Sequence, residues 1–138
     1  MSRQVLLVTP RPQSMDDLRG RLAQLYQVNP HVEGLGELEE LHVRSRSGDY
    51  VAVIEHFPQS SVRTIVADLM AANENDAVSA GYWVRMLNWG AANLMLAELL
   101  EAVDGWICAP ETSVCMPGRR YAARVKADPM WDYLDMPL

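Results

Sequence analysis

At 138 residues, with 49% apolar and 22% charged side chains, the chain has the size and composition of one folded domain, which excludes extensive disorder. No apolar run approaches the roughly 18 residues that a membrane helix needs, and the first strand-like segment starts too early for a signal peptide, so we expect a cytoplasmic protein. A net charge of -6 disfavours nucleic acid as a partner, because contact with phosphates requires a basic surface.

The first part of the chain predicts a strand followed by a helix. Residues Gln4–Thr9 are mostly apolar and end at Pro10, so we expect a buried strand. Ser14 is a suitable helix N-cap, and apolar residues then recur at spacings of three and four: Met15, Leu18, Leu22 and Leu25. The pattern predicts a helix that ends at Asn29-Pro30, with a polar loop after it.

The clearest local signal is a hairpin between Leu41 and Phe57. Residues Leu41–Ser45 alternate apolar and polar side chains, and Tyr50–Phe57 is a second strand-like run. The residues between these runs, Arg46-Ser47-Gly48-Asp49, have turn chemistry. We expect two antiparallel strands, the second more central because it is more apolar.

The second half of the chain predicts two more helices among short strands. A helix that ends near Asn73 is indicated by the apolar stripe Val62, Ile65, Val66 and Leu69. Tyr82–Leu87 then predicts a strand, and Asn88 can cap the third helix. Two further strands are predicted at Trp106–Ala109 and at Tyr121–Val125.

These elements predict an α+β fold with a central, mostly antiparallel sheet of five to six strands and about three helices packed on it. No repeat, low-complexity stretch or linker divides the sequence, so we expect a single domain over residues 1–138. Residues 128–138 form an acidic and aromatic C-terminal tail.

The sequence carries no recognisable catalytic motif. His42, His56 and Glu55 are the candidates for acid–base chemistry, and one register of the hairpin makes the two histidines cross-strand neighbours. No serine or cysteine nucleophile motif accompanies them, which favours a non-enzymatic protein. The histidine spacing does not match a zinc site and the glycines do not match a phosphate-binding loop, so we expect no metal and no cofactor.

The two cysteines, Cys108 and Cys115, flank a predicted turn. A cytosolic chain with two cysteines more often keeps them as reduced thiols, which is the state we expect. A hairpin disulfide is the alternative.

The segment Leu96–Thr112, LAELLEAVDGWICAPET, resembles a helix–strand–turn passage of small bacterial immunity proteins from polymorphic-toxin and type VI secretion systems. Ala109 and Ser113 stand where an aspartate and a glycine are common in that passage. The resemblance implies a small, acidic, cytoplasmic α+β protein that binds one cognate toxin domain and blocks its active site, and it carries over no catalytic residue. A small regulatory or ligand-sensing domain is the alternative function.

Two acidic segments are the predicted partner-binding sites. An inhibitor that fills a basic toxin cleft is expected to present carboxylates around an aromatic anchor. The segments are the loop with Glu37, Glu39 and Glu40 and the tail with Asp128, Trp131, Asp132, Tyr133 and Asp135. We favour the tail because it alone combines carboxylates with aromatic side chains. Trp131 either anchors the partner or completes the core, and the two roles are compatible.

Overall fold

A computed structural model of the chain describes residues 3–9, 15–33, 38–56, 80–109 and 114–131. These residues form seven strands and three helices. The strands are β1 (Arg3–Thr9), β2 (Gln27–Glu33), β3 (Leu38–Arg44), β4 (Tyr50–His56), β5 (Ala80–Met86), β6 (Trp106–Ala109) and β7 (Val114–Pro117), and the helices are α1 (Met15–Leu22), α2 (Trp89–Ala102) and α3 (Gly118–Ala127). The predicted α+β class is confirmed, with seven strands rather than five to six.

All seven strands belong to one sheet in the order β2-β3-β4-β5-β1-β6-β7, and every neighbouring pair is antiparallel. The predicted hairpin is confirmed as β3 and β4. Its turn is closed by the amide of Ser45 donating to the carbonyl of Asp49 at 2.8 Å, and Gly48 adopts a φ of 95° that favours glycine. β1 lies between β5 and β6, so this short apolar strand is central.

One face of the sheet packs against the helices. Alternate residues of β1, Val5 and Leu7, lie in the same buried cluster as apolar side chains of all three helices. α2 begins where the Asn88 side chain accepts a hydrogen bond from the amide of Ala91 at 3.3 Å, as predicted for the cap. The main core therefore lies between this face and the helix layer.

The opposite face of the sheet has a second, smaller apolar cluster. Leu6, Val8 and Cys108 are fully buried there, and Trp83 and Trp106 pack around them while remaining half-buried. The tryptophans predicted as strand residues thus belong to this cluster and not to the main core.

The first helix is shorter than predicted, and a strand replaces the predicted loop. α1 ends at Leu22, and Leu25 is 50% exposed in the following turn. β2 then pairs with β3 over its whole length, from Gln27 opposite Arg44 onward. The prediction was wrong because Pro30 was interpreted as a helix stop. Pro30 lies instead in β2, an edge strand whose outer side has no neighbouring strand to receive a hydrogen bond, so proline is tolerated there.

The predicted last strand, Tyr121–Val125, is also wrong, because these residues belong to α3. The buried residues Tyr121, Ala122 and Val125 follow helical spacing, and the alanines and arginines of this segment favour a helix. The hairpin partner of β6 is β7 instead, formed by residues that the sequence pattern did not assign to a strand.

The helix predicted around Val62–Leu69 lies outside the described residues. Among the described helices, none combines the length and the apolar character required to cross a membrane.

Candidate functional site

The described part of the C-terminal tail forms a tight turn after α3. The amide of Asp128 donates to the carbonyl of Arg124 at 3.0 Å, and the Asp128 side chain accepts from the amide of Met130 at 3.1 Å. The amide of Trp131 then donates to the carbonyl of Asp128 at 3.0 Å. We call residues 128–131 the C-terminal strap. It lies against the N-terminal half of α2.

A buried polar network attaches the strap to α2. Asn93 is fully buried and is the one polar residue among the buried residues of α2. Its side-chain amide donates to the carbonyls of Pro129 at 2.8 Å and Trp131 at 2.9 Å. The hydroxyl of Tyr121, also fully buried, donates to the Asn93 side-chain oxygen. Since a buried amide without partners is costly, this satisfied network fixes the path of the strap.

Trp89 makes a second attachment between α2 and the strap. Its indole nitrogen lies 3.2 Å from the carbonyl oxygens of both Met130 and Trp131, so one N–H is shared between two acceptors. The three consecutive carbonyls at residues 129, 130 and 131 each accept a hydrogen bond from Asn93, from Trp89 or from both. The strap is therefore positioned through its backbone.

The Trp131 side chain packs inward. Its ring meets the ring of Tyr121 edge-on, with centroids 5.7 Å apart, and the Arg124 guanidinium lies 5.7 Å from its centre. Trp131 is half-buried against the main core. Of the two roles left open by the sequence, core packing accounts for this ring.

Met130 is the large apolar side chain that the strap exposes to solvent. It is 64% exposed, the largest value among the big apolar side chains of the described residues, and Leu94 on α2 is 37% exposed. The Met130 side chain lies over Gly90, where a Cβ would be 2.9 Å from the Met130 sulfur, and Leu94 follows one helical turn further along α2. We call Met130, Gly90 and Leu94 the Met130 patch.

The predicted acidic loop does not join this patch. Glu40 lies on β3, and strand alternation places its side chain on the face opposite the helices, 2.9 Å from the ring nitrogen of His42. Only the backbone of Glu39 is described. Of the eight predicted partner-binding residues, the structure brings together Asp128 and Trp131 and separates them from Glu40. Outside the described residues lie Glu37, Asp132, Tyr133 and Asp135.

The register of the β3–β4 hairpin does not bring the candidate acid–base residues His42 and His56 opposite each other. His42 stands opposite Val53, whereas His56 stands opposite Glu39, so the two histidines are not cross-strand neighbours. Glu55 is directly opposite Glu40, and each carboxylate has its own basic partner, Glu55 with Arg85 and Glu40 with His42. The Arg85 guanidinium relieves the repulsion between the two neighbouring carboxylates. Within the described ranges, acidic, histidine and cysteine side chains form no group of three suited to a metal ion.

The cysteines form a disulfide, contrary to the reduced thiols expected from the sequence. Register places Cys108 directly opposite Cys115 in the β6–β7 hairpin, with their Cα atoms 4.0 Å apart, and the two sulfurs are bonded. The expectation was wrong because it followed the assumed compartment, whereas direct opposition across a two-stranded ladder brings the two sulfurs together.

Comparisons with protein-family models, with curated proteins and with solved structures found no match to this chain. The function is therefore argued from its own residues. Asn93 and Met130 were not among the predicted site residues. A single asparagine within the apolar stripe of α2 was the available signal for the network, because a polar residue at a core position requires buried partners.

Proposed function

We propose that this chain is an immunity protein that binds a cognate toxin domain, with the Met130 patch at the apolar centre of the interface. The observation that supports the proposal is the contrast within the strap: its backbone is fixed by buried side chains of α2, yet Met130 is left exposed. Because the backbone is already held in place, the strap loses little backbone freedom when a partner covers Met130.

The chemistry of the patch suits a protein partner. Methionine adapts its shape to an opposing surface, and interface centres are more apolar than their rims. Asp128 is exposed beside the patch, and Asp132 and Asp135 come four and seven residues later in the sequence. These carboxylates, with the net charge of -6, favour a partner that carries a basic cleft.

The proposed mode of action is occlusion of the toxin active site and involves no catalysis by this chain. Two of the candidate acid–base residues are engaged by other side chains, Glu55 by Arg85 and His42 by Glu40. Acidic groups on the inhibitor take the place of the anionic substrate, while the Met130 patch excludes water from the centre of the contact.

The test is protection of cells that express the toxin domain encoded beside this gene. We expect the unmodified chain to protect and Met130→Asp to protect poorly, because a carboxylate would be buried at the centre of the interface. Leu25→Asp is the matched control, since Leu25 is 50% exposed and lies in the turn after α1.

Binding measured by calorimetry gives the same comparison without cells. Loss of about 2 kcal/mol or more for Met130→Asp, with Leu25→Asp unchanged, agrees with the proposal. Equal binding by both variants, with unchanged circular dichroism, would place the interface elsewhere. Failure of the unmodified chain to bind or protect against that toxin would remove the proposed function itself.

A further inference from the structure

A separate pocket lies where the end of α1 meets the C-terminal half of α2. Its volume is about 140 Å³, and its walls include Arg21, Leu22, Leu25, Tyr26, Glu98 and Leu99. Leu94 of the Met130 patch and Glu98 of this pocket are four residues apart on α2, or about 6 Å along the helix axis. The pocket therefore lies one helical turn from the Met130 patch, but none of the residues that line it belongs to the patch.

The polar group of the pocket is a carboxylate held by a tyrosine. The Tyr26 hydroxyl donates to one oxygen of Glu98 at 2.9 Å, and both residues are half-buried. Burial first, and then the hydrogen bond and negative charge of Glu98, raise the pKa of Tyr26, so its hydroxyl stays a neutral donor. One oxygen of Glu98 is thus occupied and its orientation is set.

Glu98 differs from other carboxylates in the part of the chain that the structure describes. No basic nitrogen of those residues lies within 4 Å of its carboxylate, whereas Glu101 on the same helix pairs with Lys126 and Glu55 pairs with Arg85. Arg21 also lines the pocket but is exposed, where solvent screens its charge. A half-buried carboxylate beside leucine side chains accepts hydrogen bonds only, so it favours a donor with positive charge.

We propose that this pocket binds a primary alkylammonium group, which donates to Glu98 while its alkyl chain packs against Leu22, Leu25 and Leu99. The volume sets the size, since a cavity of roughly 150 Å³ holds a molecule of about six non-hydrogen atoms. An anion would be repelled by Glu98, and an alcohol offers one donor where an ammonium offers three. Such a group can come from a free amine or from a lysine side chain of another protein.

In the test, the full chain is titrated with n-butylammonium. Binding is measured by calorimetry and by the chemical-shift changes of Tyr26. We expect saturable binding of n-butylammonium and at least tenfold weaker binding of n-butanol and butyrate, which keep the alkyl chain and change the charge. N-acetyl-lysine methylamide separates the two sources. If it binds as well as n-butylammonium, the pocket admits a lysine side chain, and if it does not, the ligand is a free amine.

Variants then test the carboxylate directly. Glu98→Gln keeps the shape and should weaken n-butylammonium binding about tenfold or more, while Tyr26→Phe should weaken it about threefold by releasing the carboxylate. Arg21→Gln should leave binding unchanged or strengthen it. Absence of saturable binding, or equal binding of n-butylammonium and n-butanol to the unmodified chain, overturns the proposal. That comparison does not depend on whether any variant folds.

Discussion

Asn93 shows how one polar side chain in a core can set the course of a distant segment. It lies among the buried apolar residues of α2, thirty-six residues before Pro129 and thirty-eight before Trp131, and its amide donates to the carbonyls of both. An apolar residue at this position would remove both of these hydrogen bonds. The gain from the asparagine is therefore a defined strap rather than added burial.

We expect Asn93→Ala to lower the free energy of unfolding by about 2–3 kcal/mol, because it removes three hydrogen bonds, including the one that the buried Tyr121 hydroxyl donates. Tyr121→Phe removes only the hydroxyl that donates to Asn93 and should cost about 1–2 kcal/mol. Urea unfolding of the original chain and the two variants measures the three free energies of unfolding. If both variants unfold at the same urea concentration as the original chain, the network does not hold the strap.

Tyr26 makes stability sensitive to alkaline pH. Burial and the hydrogen bond and charge of Glu98 raise its pKa above the ordinary value of 10.0. Because the folded chain then holds this proton more tightly than the unfolded chain, the contribution is fully present below about pH 10 and declines as pH rises above it. The slope is at most about 1.4 kcal/mol per pH unit, and less after solvent screening of a half-buried group.

Tyr26→Phe should flatten this alkaline decline relative to the unmodified chain. Free energies of unfolding at about pH 9 and about pH 11 measure the difference, and the other tyrosines cancel because both proteins contain them. Parallel pH curves for the two proteins would show that Tyr26 is not the responsible group.

At the scale of elements, Gly105 and Gly20 differ in how closely other atoms approach them. A Cβ on Gly105 would press on the backbone carbonyl of Val8, where the chain entering β6 approaches β1. Gly20 lies in α1 with no atom near the position of an added Cβ. The first glycine is required by the sheet, whereas the second weakens its helix.

The two alanine substitutions should therefore have opposite signs. Gly20→Ala should raise the free energy of unfolding by about 0.5–1 kcal/mol through helix propensity, and Gly105→Ala should lower it by more than that because backbone atoms must move. Thermal melting of each variant decides the matter. A destabilising Gly20→Ala would mean that α1 does not form as described.

The β6–β7 hairpin is closed by its disulfide, which links residues seven apart in the sequence. A loop of this length is expected to contribute about 2–3 kcal/mol. Reduction should lower the melting temperature of the unmodified chain, while the double variant Cys108→Ser/Cys115→Ser should melt lower and not respond to reductant. Identical melting with and without reductant would show that the bridge does not form in solution.

Disulfides persist mainly in oxidising compartments. The cytoplasmic location remains a prediction from the sequence, and the bridge weighs against it. In a reducing compartment the hairpin would rely on its ladder and on the small apolar cluster of Leu6, Val8 and Cys108.

At the scale of the whole molecule, the net charge of -6 should act on the rate of association with a basic toxin domain. Raising the salt concentration shortens the range of this attraction, so we expect the association rate constant to fall about tenfold while the dissociation rate constant changes little. Met130→Asp should instead raise the dissociation rate constant. Stopped-flow binding separates the two, and salt-independent association would exclude electrostatic steering.

Local patterns in the sequence were sufficient where an element depends on its own residues. The β3–β4 hairpin and the cap at Asn88 followed from alternation, turn chemistry and N-cap preference. Local patterns failed at β2 and α3, where contacts with residues far along the chain decide between strand and helix. Pro30 fits a strand only because that strand is at the sheet edge, and β6 pairs with β7 rather than with Tyr121–Val125.

Some features of the candidate site could also be predicted from the sequence, and others could not. Composition and the acidic, aromatic tail drew attention to residues 128–138, and this is where the strap lies. The sequence could not decide which of two adjacent side chains faces solvent, because Met130 and Trp131 are both apolar and belong to no repeating element. Their orientation depends on Asn93, Trp89 and Tyr121, which reach them from other parts of the chain.

The sequence by itself determined the α+β class, the hairpin and the acidic charge of this protein, since each depends on composition or on neighbours within a few residues. The tertiary structure alone decided the edge position of β2, the pairing of Cys108 with Cys115, the exposure of Met130 and the pocket beside Glu98. These features require residues distant in sequence to meet, and such meetings are set by packing and register rather than by local preference.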